Sequence, residues 1–218
     1  MTDSRPVLSE LERDALTELV NIGVSRAASS LRKMVGEQVL LSVPSIEIVS
    51  PATAAKLINE RESDPLVAVR QNFSGAFAGR AMLIFPASNS LALAGAVTGD
   101  QLSPADLQDM EDEALAETGN VVLNGCLATM ANMLQKPLSM SLPEVVRAEG
   151  GELFAAAPAV EDDGVVLFLY INFAISDRDI RGYIAMLMDV PSVEALKNLV
   201  QDFIERVVGS AGGTDGRG

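Results

Sequence analysis

Apolar positions along the chain form two long helical stripes, each followed by shorter stretches with strand character. Leu16, Val20, Gly23, Ala27, Leu31 and Met34 recur with a period of about 3.6 residues, which puts them on one face of a helix. Ser9-Glu10-Leu11-Glu12 has the capping-box form at its start, and Gly36 supplies the stop. A second stripe, Leu115, Gly119, Val122, Cys126, Met130 and Met133, follows Ser103-Pro104, an N-cap with proline at the first helical position. After each helix come segments rich in β-branched and aliphatic residues: 39–48, 66–73 and 80–85, then 138–146, 165–175 and 182–188. Ser50-Pro51 opens a short helix to about Glu60, whereas Glu149-Gly150-Gly151 reads as a turn and leaves that helix without a counterpart. Segments 86–97 and 191–208 read as closing helices, and 209–218 as a frayed, disordered tail. The predicted fold class is α+β, with helices laid against an antiparallel sheet.

The two stripes are copies of one pattern. Shifting the sequence by 99 residues pairs 12–44 with 111–143 and gives eight identities in 33 positions, among them Glu18/Glu117, Asn21/Asn120, Ser42/Ser141 and Pro44/Pro143. Shared amphipathicity explains matches of Ala and Leu, but not Glu, Asn and Pro at one offset. Further on, Asn72-Phe73 matches Asn172-Phe173 at a shift of 100, and 79–84 resembles 182–187 at 103. These matches predict one domain over the 218 residues, built of two pseudo-symmetric halves at about 8–98 and 103–208.

Composition narrows the chemistry. At 48% apolar residues, 218 positions fill one sizeable core. The single Cys126 has no disulfide partner within the chain, and the absence of histidine removes zinc clusters and His-based triads. A formal charge of −14 repels nucleic acid and anionic membrane surfaces. No apolar run reaches the roughly 18 residues a membrane helix needs, so a cytoplasmic protein is expected. Cys126 falls on the apolar stripe opposite Ala27 and reads as a small core residue.

The polar faces carry the informative residues. At about 100° per residue, Asp14, Glu18, Asn21 and Ser25 fall within roughly 60° of one another, opposite the apolar stripe. Glu113, Glu117, Asn120 and Asn124 repeat that arrangement. A Glu/Asn stripe is ordinarily a solvated face, but a mid-helix Asn competes with the backbone for hydrogen bonds, and here one stands at the same place in both halves.

The spacing resembles that of the CheC/CheX/FliY family of chemotaxis phosphatases: Asp or Ser, three residues, Glu, two residues, Asn, 22 residues, Pro. Asp14-x3-Glu18-x2-Asn21-x22-Pro44 fits throughout. Glu113-x3-Glu117-x2-Asn120-x22-Pro143 fits at Glu, Asn and Pro but has Glu at the first position, and its Glu117-Thr118-Gly119-Asn120 is similar to the family's Glu-x-Gly-Asn wording. Two copies are the CheC-like arrangement, which implies a pseudo-twofold fold and hydrolysis of the aspartyl phosphate of a CheY-type response regulator. In-line placement of a water supplies most of such a rate. The resemblance gives that role to Asn21 and Asn120, whose carboxamides accept from water and donate to a phosphoryl oxygen. Glu18 and Glu117 then pair with the receiver's lysine, Asp14 and Glu113 are supporting positions, and Ser25 and Asn124 read more as part of a solvated face. Mg²⁺ would come with the receiver substrate, Pro44 and Pro143 would bound strands, and CheD is a second partner that the resemblance implies. The competing reading is a non-catalytic receiver- or CheD-binding adaptor, or a flagellar-switch module of the same fold.

Overall fold

The computed structural model describes residues 7–43, 45–98, 103–155, 164–175 and 178–211; Pro44 lies outside the described residues. The first half runs α1 (Glu10–Val35), β1 (Val39–Ser42), β2 (Ile46–Val49), α2 (Pro51–Asn59), β3 (Leu66–Gly75), β4 (Gly79–Pro86) and α3 (Ala87–Thr98). The second runs α4 (Pro104–Met133), β5 (Leu138–Met140), β6 (Glu144–Ala148), α5 (Gly150–Ala155), β7 (Val165–Ile175), β8 (Arg178–Met188) and α6 (Val190–Ala211).

The long helices begin and end where local chemistry dictates. Ser9 Oγ accepts from Glu12 N at 3.3 Å while Glu12 Oε2 accepts from Ser9 N at 2.7 Å, satisfying two donors left open at a helix start. Gly36 closes α1 in the left-handed region, φ 77°, which a residue with a Cβ adopts at a cost. Ser103 Oγ likewise accepts from Asp106 N at 3.2 Å at the start of α4, with Pro104 in the first turn.

All the strand pairs are antiparallel, in the order β1-β7-β8-β4-β3-β5, with β2 also on β7 and β6 also on β3. Exchanging β1 with β5, β2 with β6, β3 with β7 and β4 with β8 maps this order onto itself, the pseudo-twofold of the fold. Register refines the internal match. Asn72 pairs with Arg80 and Asn172 with Arg181, so β4 relates to β8 at an offset of 101 rather than the 103 that the sequence match implies. The second hairpin is one residue longer, not three.

Helices cover both faces, so the central strands read as nearly continuous apolar runs. Val67, Val69, Phe73, Leu83 and Phe85 join Leu167, Leu169 and Ile171 in a core shared with α1, α3, α4 and α6. Leu66, Ala68, Met82, Ile84, Val166 and Phe168 form a second core with Ala54 and Ile58 of α2 and Leu153 and Phe154 of α5. The helix α5 corrects the expected turn: Gly150 and Gly151 open a helix whose Leu153 N donates to Glu149 O. It packs against α2, its counterpart. Glycine's cost in a helix is entropic and weighs in the interior, so a glycine pair at the start is tolerated. The last helix also runs to Ala211, past the expected start of the tail at Gly209; positions 212–218 lie outside the described residues.

α1 and α4 pack on each other through small residues. A Cβ at Gly23 would sit 2.8 Å from Cys126 Cα, and one at Gly125 would sit 3.0 Å from Ala27 Cβ. Cys126 is fully buried at this crossing, and burial pushes its thiol up to about 12, as expected of a small core residue.

Candidate functional site

Packing of the apolar stripes decides where the polar ones go. With Leu16, Leu19, Val20 and Val24 buried on α1, and Leu115, Val122, Leu123 and Cys126 on α4, Asp14, Glu18, Glu113 and Glu117 are exposed. Asn21, Asn120 and Asn124 are half-buried and Ser25 is exposed. Glu18, Asn21 and Ser25 line one open groove together with Ile22, Arg26 and Ser29. Arg26, which the sequence reading did not single out, crosses toward α4, its Nη1 donating to Thr129 Oγ1 at 3.4 Å.

A carboxylate, buried at Glu12 and half-buried at Glu111, anchors each helix about one and a half turns before its motif Glu. Glu12 accepts from Gln201 of α6, and Glu111 accepts from Ser90 of α3. Burial raises the Glu12 carboxyl, but hydrogen bonds from Ser9 and Gln201 and the nearby Lys197 outweigh it and hold the group below its ordinary value. Glu111 also pairs with Arg147 of β6 at 3.2 Å, and Asp112 meets the same guanidinium at 2.6 Å. Both motif faces therefore ride on helices fixed at their N-terminal ends.

The two asparagines, equivalent in sequence, are used differently. Asn21 Oδ1 accepts from Val43 N at 3.0 Å and its Nδ2 donates to Val43 O at 3.1 Å. This clamps the residue before Pro44 and explains the 22-residue spacing in physical terms. Val43 is 2% exposed, so its backbone groups rely on that side chain rather than on water. The pairing consumes the distal edge of the carboxamide; the remaining N–H and lone pair lie in the amide plane and point away from each other.

Asn120 makes no such clamp. Its Oδ1 accepts from Gln71 Nε2 at 3.2 Å and from Asn124 Nδ2 at 2.6 Å, which fills both lone pairs. Gln71 Nε2 also donates to Ser141 O at 2.9 Å, and because a carbonyl only accepts, that contact fixes the orientation of all three amides. The Nδ2 of Asn120 has no partner among the described residues, so two N–H groups on one atom are presented outward. The oxygen expected to accept from water is thus already accepting two hydrogen bonds at Asn120.

Gly119 explains the difference. A Cβ there would lie 2.4 Å from Val69 Cγ1, so α4 approaches β3 closely only because the position is glycine. Val69 and Gln71 share a face of the strand, and close approach at Val69 brings Gln71 within reach of Asn120. The space at Gly119 is therefore filled from inside the fold rather than left for a partner's backbone. Val20, the equivalent in α1, is itself fully buried. Sequence reasoning missed Gln71, although a glutamine at a core-facing position of an apolar strand was the available signal.

The loop after β5 borders this site. Ser141 pairs with Asn72, its N donating to Asn72 O and its Oγ accepting from Asn72 N, each at 2.9 Å. Leu142 is 87% exposed where its counterpart Val43 is buried, and Pro143 is half-buried before β6. Among the described residues no three His, Cys, Asp or Glu side chains are grouped to hold a metal, and no helix is long and apolar enough to cross a membrane.

Comparison with known proteins agrees with this geometry. The CheC-like family model matches residues 11–48, the span of the first motif copy. Over 172 residues the chain is 26% identical to the flagellar motor switch phosphatase FliY of Bacillus subtilis, covering 78% of this chain but only 44% of that protein. It is 22% identical over 198 residues to the CheY-P phosphatase CheC of the same organism, covering 87% of this chain and 93% of the relative. In fold it is similar to Thermotoga maritima FliY, with a TM-score of 0.70 at 16% identity over 91% of this chain and all of the other. It is also similar to the FliM middle domain of H. pylori, with a TM-score of 0.60 at 10% identity over 88% and 99%. The resemblance read from the motif spacing is borne out.

Proposed function

We propose that this CheC-like chain is a phosphatase that hydrolyses the aspartyl phosphate of a CheY-type response regulator. The observation that carries the reading is Asn120: a carboxamide on the exposed face of α4, its oxygen held by two donors and its two N–H groups free. One N–H holds the attacking water through a lone pair and the other reaches a phosphoryl oxygen, so the water's second lone pair is aimed at phosphorus. Because an acyl phosphate has a good leaving group, such placement supplies most of the required acceleration. Glu117, one turn earlier and exposed, pairs with the receiver's active-site lysine, and Glu18 does the same on α1. The receiver brings its own Mg²⁺. Asn21 takes part with the single N–H and lone pair that its clamp leaves over. Asp14 and Glu113 shape the rim of each site, and CheD remains a second partner to test.

The names of the FliY and CheC relatives support the phosphatase reading. The fold alone does not separate it from a flagellar-switch module, since FliM middle domains share it; Glu and Asn present in both copies favour catalysis. The test is phosphate release from phosphorylated receivers at catalytic, substoichiometric amounts of this protein. Asn21→Ala with Asn120→Ala should leave receiver binding in place while turnover falls about tenfold or more, as loss of a transition-state contact does. Full turnover by the double variant refutes the assignment.

A further inference from the structure

A glutamine in the middle of an apolar strand calls for a reason. β3 reads Leu66-Val67-Ala68-Val69-Arg70-Gln71-Asn72-Phe73, and its alternation puts Gln71 on the face that carries Val67, Val69 and Phe73 into the core with α4. Its side chain is 1% exposed, and its Oε1 has no hydrogen-bond partner. Asn124, on the far side of Asn120, is likewise left with a buried, unpaired Oδ1. Selection for stability alone would replace such groups by apolar ones, because a buried unpaired acceptor is costly. Both unpaired acceptors instead flank one atom, Asn120 Oδ1, onto which both side chains donate. The first motif copy has no equivalent, since the Asn72/Asn172 match puts Ile171 at the position of Gln71.

We propose that Gln71 is a positioning residue for the second motif copy: bridging Ser141 O and Asn120 Oδ1, it holds the Asn120 carboxamide with both N–H groups facing the receiver. The proposal rests on the phosphatase reading of Asn120. Gln71 does not touch substrate; it fixes the amide rotamer and orientation that Asn21 obtains from Val43, without consuming the Asn120 nitrogen. It also ties the site, through Ser141 O, to the loop carrying the exposed Leu142.

The experiment is a double-mutant cycle on receiver dephosphorylation. Gln71→Met keeps the shape and removes both donated bonds. It should reproduce at least about half of the loss in kcat that Asn120→Ala causes, with KM within about twofold of wild type, and should add nothing in the Asn120→Ala background. Gln71→Glu serves as the second variant. Its carboxylate cannot donate, so its rate relative to wild type should recover as the pH is lowered and the acid form regains a proton to give. Wild-type kcat in Gln71→Met, or losses that add in the double variant, overturns the positioning role while leaving the phosphatase reading intact. If Asn120→Ala itself keeps full turnover, the phosphatase reading of Asn120 has failed instead. The side-chain amide resonances of Asn120 then decide the positioning: unchanged shifts in Gln71→Met overturn it, and collapse of the two distinct N–H signals toward free-amide values upholds it.

Discussion

Replacing Asn21 by alanine should damage the fold more than the chemistry. The substitution removes two hydrogen bonds, from Val43 N and to Val43 O, and leaves both backbone groups on a residue that is 2% exposed. A buried donor or acceptor without a partner costs about 1–3 kcal/mol, so the pair, partly rehydrated as the loop relaxes, comes to about 2–4 kcal/mol. At about 2–4 °C per kcal/mol for a chain of this size, Tm should fall by roughly 5–15 °C. Asn120→Ala is the internal control. It costs Gln71 one of two accepting partners and Asn124 its partner, while Ser141 O is still satisfied, so its effect should stay near 1 kcal/mol. Urea and thermal unfolding followed by circular dichroism measure both. The expected result is that Asn21→Ala is the less stable of the two, whereas Asn120→Ala loses more turnover per folded molecule. An Asn21→Ala protein within about 0.5 kcal/mol of wild type would refute the clamp, since that is the range of an ordinary surface substitution.

Three further outcomes follow from the geometry. Gly119→Ala would bring a Cβ to 2.4 Å from Val69 Cγ1, so α4 must shift; a loss of about 1–3 kcal/mol in urea unfolding, with reduced turnover, is expected, and an unchanged melt contradicts the close packing. Glu18→Ala with Glu117→Ala should weaken receiver association and turnover together by about 0.5–1.5 kcal/mol, with added salt reproducing part of the loss in wild type; equal binding of wild type and variant by titration argues against the lysine pairing. Glu12 has a folded-state value below its ordinary 4.5, so its contribution to stability is complete above that value and is lost as the pH falls through the lowered one. Glu12→Gln should therefore flatten the acid limb of a stability-against-pH curve, and an unaltered limb shows that the anchor to Ser9 and Gln201 is not maintained.

Much of this protein is written locally. The capping box at Ser9, the proline after Ser103 and the glycine stop at 36 are short-range chemistry, so the long helices and their buried faces follow from periodicity alone. The exposure of Glu18 and Glu117 follows too, because it is the complement of the apolar stripe. What the sequence could not decide depended on contacts between residues distant along the chain. Gly150-Gly151 looks like a turn by itself and becomes a helix start because Leu153 and Phe154 have a core to enter against α2. The match at an offset of 103 looked as good as any until hydrogen bonding fixed the register at 101. Most of all, Asn21 and Asn120 are identical letters at identical places in a repeat. Only the packing of Gly119 on Val69 brings Gln71 to one of them, while the other, beside a buried valine, closes on the backbone of Val43. Hydrogen bonds are short-ranged and directional, so how closely a helix sits on a sheet separates a free amide from a clamped one.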